Sequence, residues 1–333
     1  MKIAVDAMGG DRAPGIVVDG AVQAARDLGI EVLLVGQRGP VQAELEQYDT
    51  GGLPLTLIHA SSVIAMDEHN PSAAVRSQRD SSMVVGMDLV RHGEADAFLT
   101  AGHSGGALAA AYLFLRRIAG IDRPALATIF PSQTPQGYCL LLDIGANVDP
   151  KPQYLAQFAL MGTVYAERIL GVANPRVAIV SNGEEDGKGN QLVQDTTPLL
   201  KESPINFVGN VEGKDIPRGL ADVVVTDAFT GNVIIKLSEG VSGMLMDIIK
   251  EELTSTTVSK VGAMLARPAF DAVKKRLDYR EYGGAPLLGV QGVVIVGHGR
   301  SDAWAIRNGI RMAAQMVENG VVDAIEEGLA RYQ

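Results

Sequence analysis

Short apolar runs, each closed by glycine and followed by a stretch of helical spacing, recur along the whole chain. Residues 2–6 read as a strand. Pro14 stands just inside the next periodic segment, and that helix is expected to reach Leu28 with Gly29 as its stop. A second strand covers 31–35 and ends at Gly36. Residues 72–91 carry Ala74, Val75, Val84, Met87 and Leu89 at helical spacing and stop near Gly93. A strand at 95–100 feeds the turn Gly102-His103-Ser104-Gly105-Gly106, after which an apolar helix is predicted over 107–118. Residues 125–130 and 137–144 read as two strands with Pro131 and Pro135 between them, a hairpin pattern.

The second half continues the alternation. It predicts a helix at 153–170, a strand at 176–181, a helix at 190–201, strands at 205–209 and 221–226, and a long helix over 230–252. Residues 254–277 are again helical, and a strand at 293–296 with a helix at 302–318 closes the series. Apolar strands alternating with helices predict a mostly parallel sheet covered on both faces, an α/β fold. No repeat, low-complexity run or Pro/Ser-rich linker marks a boundary, so 1–333 is read as a single doubly wound unit with room for two lobes. In such sheets ligands bind beyond the carboxyl ends of the strands.

Composition narrows the classes. The chain has 333 residues, 47% of them hydrophobic, with 29 Lys and Arg against 39 Asp and Glu for a net charge of −10. That balance excludes disorder and argues against nucleic acid as a partner. Its 38 glycines exceed the roughly 23 of average usage. Cys139 is the single cysteine, which excludes an internal disulfide and any cysteine-clustered metal site and fits a reducing, cytosolic setting. Asp6 interrupts the first apolar run, so no secretory signal is expected. Residues 97–115 and 124–142 lack formal charge but are broken by glycines and prolines, and neither reads as a membrane span.

Five glycine turns follow predicted strands: DAMGGD (6–11), TAGHSGG (100–106), DIGAN (143–147), TDAFTGN (226–232) and GHGRSD (297–302). Glycine-led helix starts present unpaired N–H groups that suit phosphate or carboxylate. The 183–189 run imitates a P-loop but has the wrong spacing and three carboxylates, and no G-x-G-x-x-G follows the first strand. Cys139 lies in an apolar run and reads as a buried structural thiol. GHSGG also fits a nucleophile elbow, so a serine hydrolase built on Ser104, Asp143 and His298 is an open alternative. Glu184, Glu185 and Asp186 read as a solvated loop rather than a Mg²⁺ site, and His59, His69 and His92 lack metal-ligand spacing; no metal is expected. Residues 254–280 form an amphipathic basic segment, in which 260–280 carries a net +4 interleaved with Val261, Met264, Leu265, Phe270, Val273 and Leu277. Such a face suits an anionic membrane or an acidic protein.

MKIAVDAMGGD (1–11), DSSM (80–83), TAGHSGG, LDIGAN (142–147), NGEEDGKGN (182–190), DAFTGN with Lys236, and YGGAPLLGVQG (282–292) through GHGRSDAW (297–304) form an ordered series along nearly the whole chain. Together they resemble the bacterial phosphate acyltransferases of phospholipid synthesis. The turn usual in that family reads AGNTG, and His103 and Ser104 replace its amide and threonine; Ala228 stands where glycine is usual, and 76–80 is less basic. The resemblance implies a three-layer α/β/α sandwich similar to phosphotransacetylases and isocitrate-dehydrogenase-like enzymes, a homodimer and no cofactor. It implies transfer of a fatty acyl group from acyl carrier protein to inorganic phosphate, with the acyl phosphate passing to a membrane glycerol-3-phosphate acyltransferase. A coenzyme A-dependent phosphotransacetylase is a further alternative.

On that reading phosphate is the nucleophile. Gly102, His103, Ser104, Gly105 and Asn232 are expected to bind it, Lys236 to compensate charge, and His298 to donate to the carbonyl oxygen or leaving thiolate, with Asn232 in both the binding and catalytic sets. Lys260, Arg267, Lys274, Lys275 and Arg276 are expected to dock the acidic carrier, and Leu253, Val258 and Met264 to touch the inner face of the cell membrane. The expected setting is cytoplasmic with peripheral membrane association.

Overall fold

The computed structural model describes residues 1–332, without the side chains of Lys275, Tyr279, Arg331 and Tyr332. Its first half runs β1 (Lys2–Asp6), α1 (Gly15–Leu28), β2 (Glu31–Gly36), α2 (Arg38–Leu45), β3 (Leu55–His59), α3 (Pro71–Ser77), α4 (Ser82–Arg91), β4 (Ala97–Thr100) and α5 (Ser104–Ala110). A π-helical turn, Ala111–Leu115, prolongs α5, and β5 (Ala125–Pro131) and β6 (Tyr138–Leu142) follow as an antiparallel pair. The second half contains α6 (Pro152–Arg168), β7 (Arg176–Val180), α7 (Gln191–Glu202), β8 (Asn206–Val211) and β9 (Val223–Val225). It ends with α8 (Ala228–Ser255), α9 (Thr257–Leu277), β10 (Ala285–Leu288), β11 (Val293–Val296), α10 (Ala303–Glu318) and α11 (Val321–Tyr332).

Among the described residues the strands form one 11-stranded sheet in the order β3-β2-β1-β4-β11-β10-β5-β6-β9-β7-β8. The first five are mutually parallel. The pairs β11–β10, β10–β5 and β5–β6 are antiparallel, so the parallel block β6-β9-β7-β8 runs opposite to the first. Strand alternation divides the apolar side chains between two faces. Ile3, Val5, Ala97, Leu99, Val293 and Ile295 join one core with α1, α6 and α10, while Ala4, Phe98, Val294 and Val296 join another under α4 and α5. This is the α/β/α layering that the alternating pattern predicts.

The sequence reading and the structure differ at a few places. The helix expected over 72–91 is two helices, because Asn70 and Ser81 each accept a backbone N–H to start a new one. The intervening turn is held by Asp80, which accepts the Ser62 hydroxyl at 3.0 Å. The helix expected over 107–118 starts earlier, at Ser104, and ends at Arg116, whose φ is +66°. The short elements α2, β3, β10 and α11 are additions to the pattern; β3 is only half-buried and carries a weak apolar signal. Among the described residues no helix is long and apolar enough to cross a membrane.

Chain order matters for function here. After β1 the chain adds β2 and β3 on one side, then returns to place β4 on the other. The crevice beyond β1 and β4 is therefore a topological switch point. In the second block, the turn after β6 is locked to the start of α8: Ala228 N–H donates to the Asn147 carbonyl at 2.9 Å, and a β-carbon on Gly231 would overlap the carbonyl oxygen of Asp143. Gly231→Ala should therefore destabilise the fold by about 1–3 kcal/mol or more, read as a lower urea midpoint. An unchanged midpoint would show that α8 retreats freely from this turn.

Candidate active site

Three of the five glycine turns meet at the carboxyl ends of β1, β4 and β11, which are neighbours in the sheet. Thr100, the last residue of β4 and fully buried, joins them. Its hydroxyl donates to Asp6 Oδ2 at 2.7 Å and accepts the Gly102 N–H at 2.9 Å. Its carbonyl accepts the Gly297 N–H at 2.7 Å. Asp11 N–H donates to the Gly299 carbonyl at 2.8 Å and Arg12 Nη2 to the Ser301 carbonyl at 3.1 Å, closing the first turn onto the last. Asp6 is 2% exposed. Burial pushes its carboxyl above the ordinary range, against hydrogen bonding with the Ser82 and Thr100 side chains and the backbone of Met8 and Gly9.

The second turn starts a helix with His103 as its cap, where Nδ1 accepts the Gly106 N–H at 3.2 Å. A nitrogen that accepts carries no proton, so the neutral ring holds its proton on Nε2. Ser104 and Gly105 occupy the first turn, where N–H groups have no acceptor within the helix. Gly102 differs from expectation. Its N–H is already given to Thr100, so it shapes the turn instead of offering a donor.

His298 repeats the arrangement, with Nδ1 accepting the Arg300 N–H at 3.3 Å and the proton again on Nε2. Burial and the nearby Arg300 hold its pKa below the usual 6.5, with Lys236 adding to the effect and Glu239 and Asp11 opposing it. His298 is thus a neutral donor at neutral pH.

The other two glycine turns belong to the second strand block and meet each other. Asp143, 0% exposed, accepts the N–H groups of Leu126, Gly145, Ala146 and Asn147, together with the Asn147 side-chain amide. Asp227 caps α8 by accepting from the Thr230 N–H at 2.8 Å and its hydroxyl at 2.7 Å. Asn232 and Lys236 are exposed one turn apart on α8. Three residues beyond Lys236, Glu239 pairs with Arg300 at 2.9 Å, which fastens α8 to the loop that carries His298. The structure therefore brings Lys236 and His298 into one electrostatic neighbourhood.

This geometry removes the serine-hydrolase alternative. A triad histidine gives Nδ1–H to the acid and accepts the serine proton on Nε2. Here Nδ1 of His298 is an acceptor, and the Asp143 carboxylate is occupied by its own loop. Cys139 is fully buried, and burial pushes its thiol up to about 12, far from a thiolate.

Elsewhere, Glu184, Glu185 and Asp186 are exposed, as a solvated loop requires, and Asp186 pairs with Lys201 at 2.8 Å. Glu184 does approach Glu212 and Asp215, but Lys214 pairs with both Glu212 and Glu184 and supplies the positive charge there. On α9, Lys260, Arg267, Lys274 and Arg276 are exposed, and Arg267 has an ion pair with Asp271 at 3.8 Å. The Lys275 side chain lies outside the described residues. Arg280 faces inward in charge terms, held by Asp278 and by Asp302 at 2.7 Å. Val258 and Met264 are 84% and 68% exposed, whereas Leu253 is half-buried.

Asp6 and Thr100 lie in the glycine-turn motifs, where the sequence pattern assigns neither a role. The available signal is a polar residue that directly follows three consecutive apolar residues in each strand, 3–5 and 97–99.

Comparison with known proteins agrees with this architecture. The phosphotransacetylase of Streptococcus pyogenes superposes with a TM-score of 0.61 at 19% identity, covering 96% of this chain and 94% of its own. The EutD phosphotransacetylase of Staphylococcus aureus gives 0.59 at 16%, covering 95% and 94%. Both show the shared fold. Curated relatives are far closer in sequence. A phosphate acyltransferase of Heliobacterium modesticaldum is 51% identical over 328 residues, 98% of this chain and 97% of the relative. One of Desulfitobacterium hafniense is 50% identical over 335 residues, 100% and 98% of the two chains. With residues 1–324 also matching the family described as "Fatty acid synthesis protein", the chain belongs to that family.

Proposed function

We propose that this protein transfers a fatty acyl group from the thioester of an acyl carrier protein to inorganic phosphate. A phosphate oxygen attacks the thioester carbonyl, the C–S bond breaks, and the thiol and an acyl phosphate leave. The observation that carries this reading is that Thr100 holds the His103 turn, with its helix start, beside the His298 turn, with Lys236 in the electrostatic neighbourhood of His298 and the single cysteine buried elsewhere. Such a site binds an oxyanion and stabilises another as it forms, and phosphate itself supplies the nucleophile. The Ser104 and Gly105 N–H groups, the Ser104 hydroxyl, the His103 Nε2–H and Asn232 hold phosphate in this proposal. Lys236 compensates its charge, and His298 donates to the carbonyl oxygen or the departing sulfur. No cofactor enters the step.

The finer assignments belong to the same proposal. Lys274, Arg276, Arg267 and Lys260 on α9 receive the acidic carrier; Lys275 belongs to the same proposal from the sequence alone, its side chain lying outside the described residues. Along α8, Phe229, Val233, Leu237, Val241, Leu245 and Ile248 repeat at three- or four-residue spacing and are all exposed. An apolar stripe of that length fits a second copy of the chain, a homodimer. At the hairpin tip Val258, with Met264 and Leu253, fits the inner surface of the cell membrane, where a glycerol-3-phosphate acyltransferase would consume the product.

Incubating acyl carrier thioester with the enzyme should give a hydroxylamine-trappable acyl phosphate only when phosphate is present. Phosphate-independent thioester loss with fluorophosphonate labelling of Ser104, or equal use of a coenzyme A thioester, would overturn the assignment. Because the neutral form of His298 is the donor and its pKa lies below 6.5, activity at saturating phosphate should persist as pH falls to 6.5 and decline only beneath it. His298→Gln should lower kcat by about 10²–10³; a wild-type acid limb above pH 6.5 contradicts the role. Lys274→Glu with Arg276→Glu should raise the KM for the carrier about tenfold, leave kcat in place and flatten the salt dependence. Unmoved kinetics would assign the basic face elsewhere.

A further inference from the structure

We infer that Asp6 and Thr100 are positioning residues for the oxyanion pocket, acting through one buried hydrogen-bonded chain that orients the 102–106 turn, beside the His298 turn that the backbone of Thr100 holds in register. The inference rests on the proposal that phosphate binds at the 102–106 turn.

A threonine hydroxyl has a single proton, and here Asp6 Oδ2 takes it at 2.7 Å. The lone pairs of Thr100 Oγ1 are then left to accept, and the Gly102 N–H fills one at 2.9 Å. The acid thus sets the direction of the hydroxyl, and the hydroxyl sets the plane of the peptide that enters the turn. From the same residue, the Thr100 carbonyl fixes the Gly297 N–H at 2.7 Å, one residue before His298. A single side chain and its own carbonyl therefore register the two turns that carry His103 and His298.

The chain is kept dry by close packing. A β-carbon on Gly9 would lie 2.7 Å from both Asp6 Oδ2 and the Gly102 nitrogen and 2.9 Å from Thr100 Oγ1. Only glycine at position 9 lets the first turn cover these three groups. Asp6 also receives the Met8 N–H on Oδ1 at 3.2 Å, so its two oxygens serve two turns. Asp6 and Thr100 act through others and touch no reacting atom in this account.

Steady-state kinetics of the full-length enzyme, varying phosphate and carrier thioester separately, tests the inference. Thr100→Val keeps the shape and deletes the hydroxyl. It should raise the KM for phosphate about tenfold or more, the loss expected for misdirected hydrogen bonds to a charged ligand, and leave the carrier KM within about twofold. Thr100→Ser retains the hydroxyl and should restore a phosphate KM within about threefold of the parent. Should Thr100→Val fail to fold, Asp6→Asn reads the same chain, because an amide proton facing Thr100 reverses its polarity, and the phosphate KM should again rise. Equal losses in Thr100→Val and Thr100→Ser, or an unmoved phosphate KM in Asp6→Asn, would overturn the inference. Ser104→Ala separates the two levels. If it raises the phosphate KM while Thr100→Val does not, the positioning role is wrong and the pocket stands; if neither moves it, the pocket falls and the inference with it.

Discussion

Thr100 sits where water does not reach, at the end of a strand whose other residues are all apolar and buried. A polar group there must find partners or destabilise the fold by roughly 1–3 kcal/mol. Thr100 finds three, on three different turns, and in doing so converts a requirement of burial into the geometry of the site. Asp6 obeys the same constraint one strand away. The crevice of a doubly wound sheet is a common place for a ligand. What makes this crevice specific is that the turns lining it cannot move independently.

The two histidines show how local backbone geometry decides chemistry. Each is pinned by an N–H from a residue two or three positions later, which removes Nδ1 as a donor and puts the proton of the neutral ring on Nε2. The cap at His103 needs only an acceptor on one arm of the side chain and leaves a donor on the other, which an asparagine amide also provides. Where the resemblance expects an amide at this position, His103 offers the same acceptor for the cap. Serine keeps the hydroxyl of the threonine it replaces.

The α8–α9 hairpin follows a different logic. Among the described residues of α8 only Ala228 and Gly231, both at the site end, are buried, and the remainder extends into solvent with its apolar stripe uncovered. A helix pair gains most of its stability from burying such a face. A partner surface is thus part of the physical problem that this chain poses. The ion pair from Glu239 to Arg300 couples the base of the hairpin to the loop of His298.

Much was legible in the sequence because it is local. Alternating apolar strands and helices, the glycine stops at Gly29 and Gly93, the hairpin of β5 and β6, and the α/β class all follow from patterns within about 20 residues. The ordered motifs carried the family. The break within 72–91 was hidden because a cap at Ser81 competes with helical spacing on nearly equal terms. Strand order was hidden too, since periodicity says which face a residue takes and nothing of its neighbour in the sheet. Asp6 and Thr100 are 94 positions apart, and only the placement of β4 beside β1 makes them partners. The sequence determined which residues form strands, turns and the family motifs. Tertiary structure alone decided which turns meet, because hydrogen bonds between distant segments exist only after the sheet has set their register.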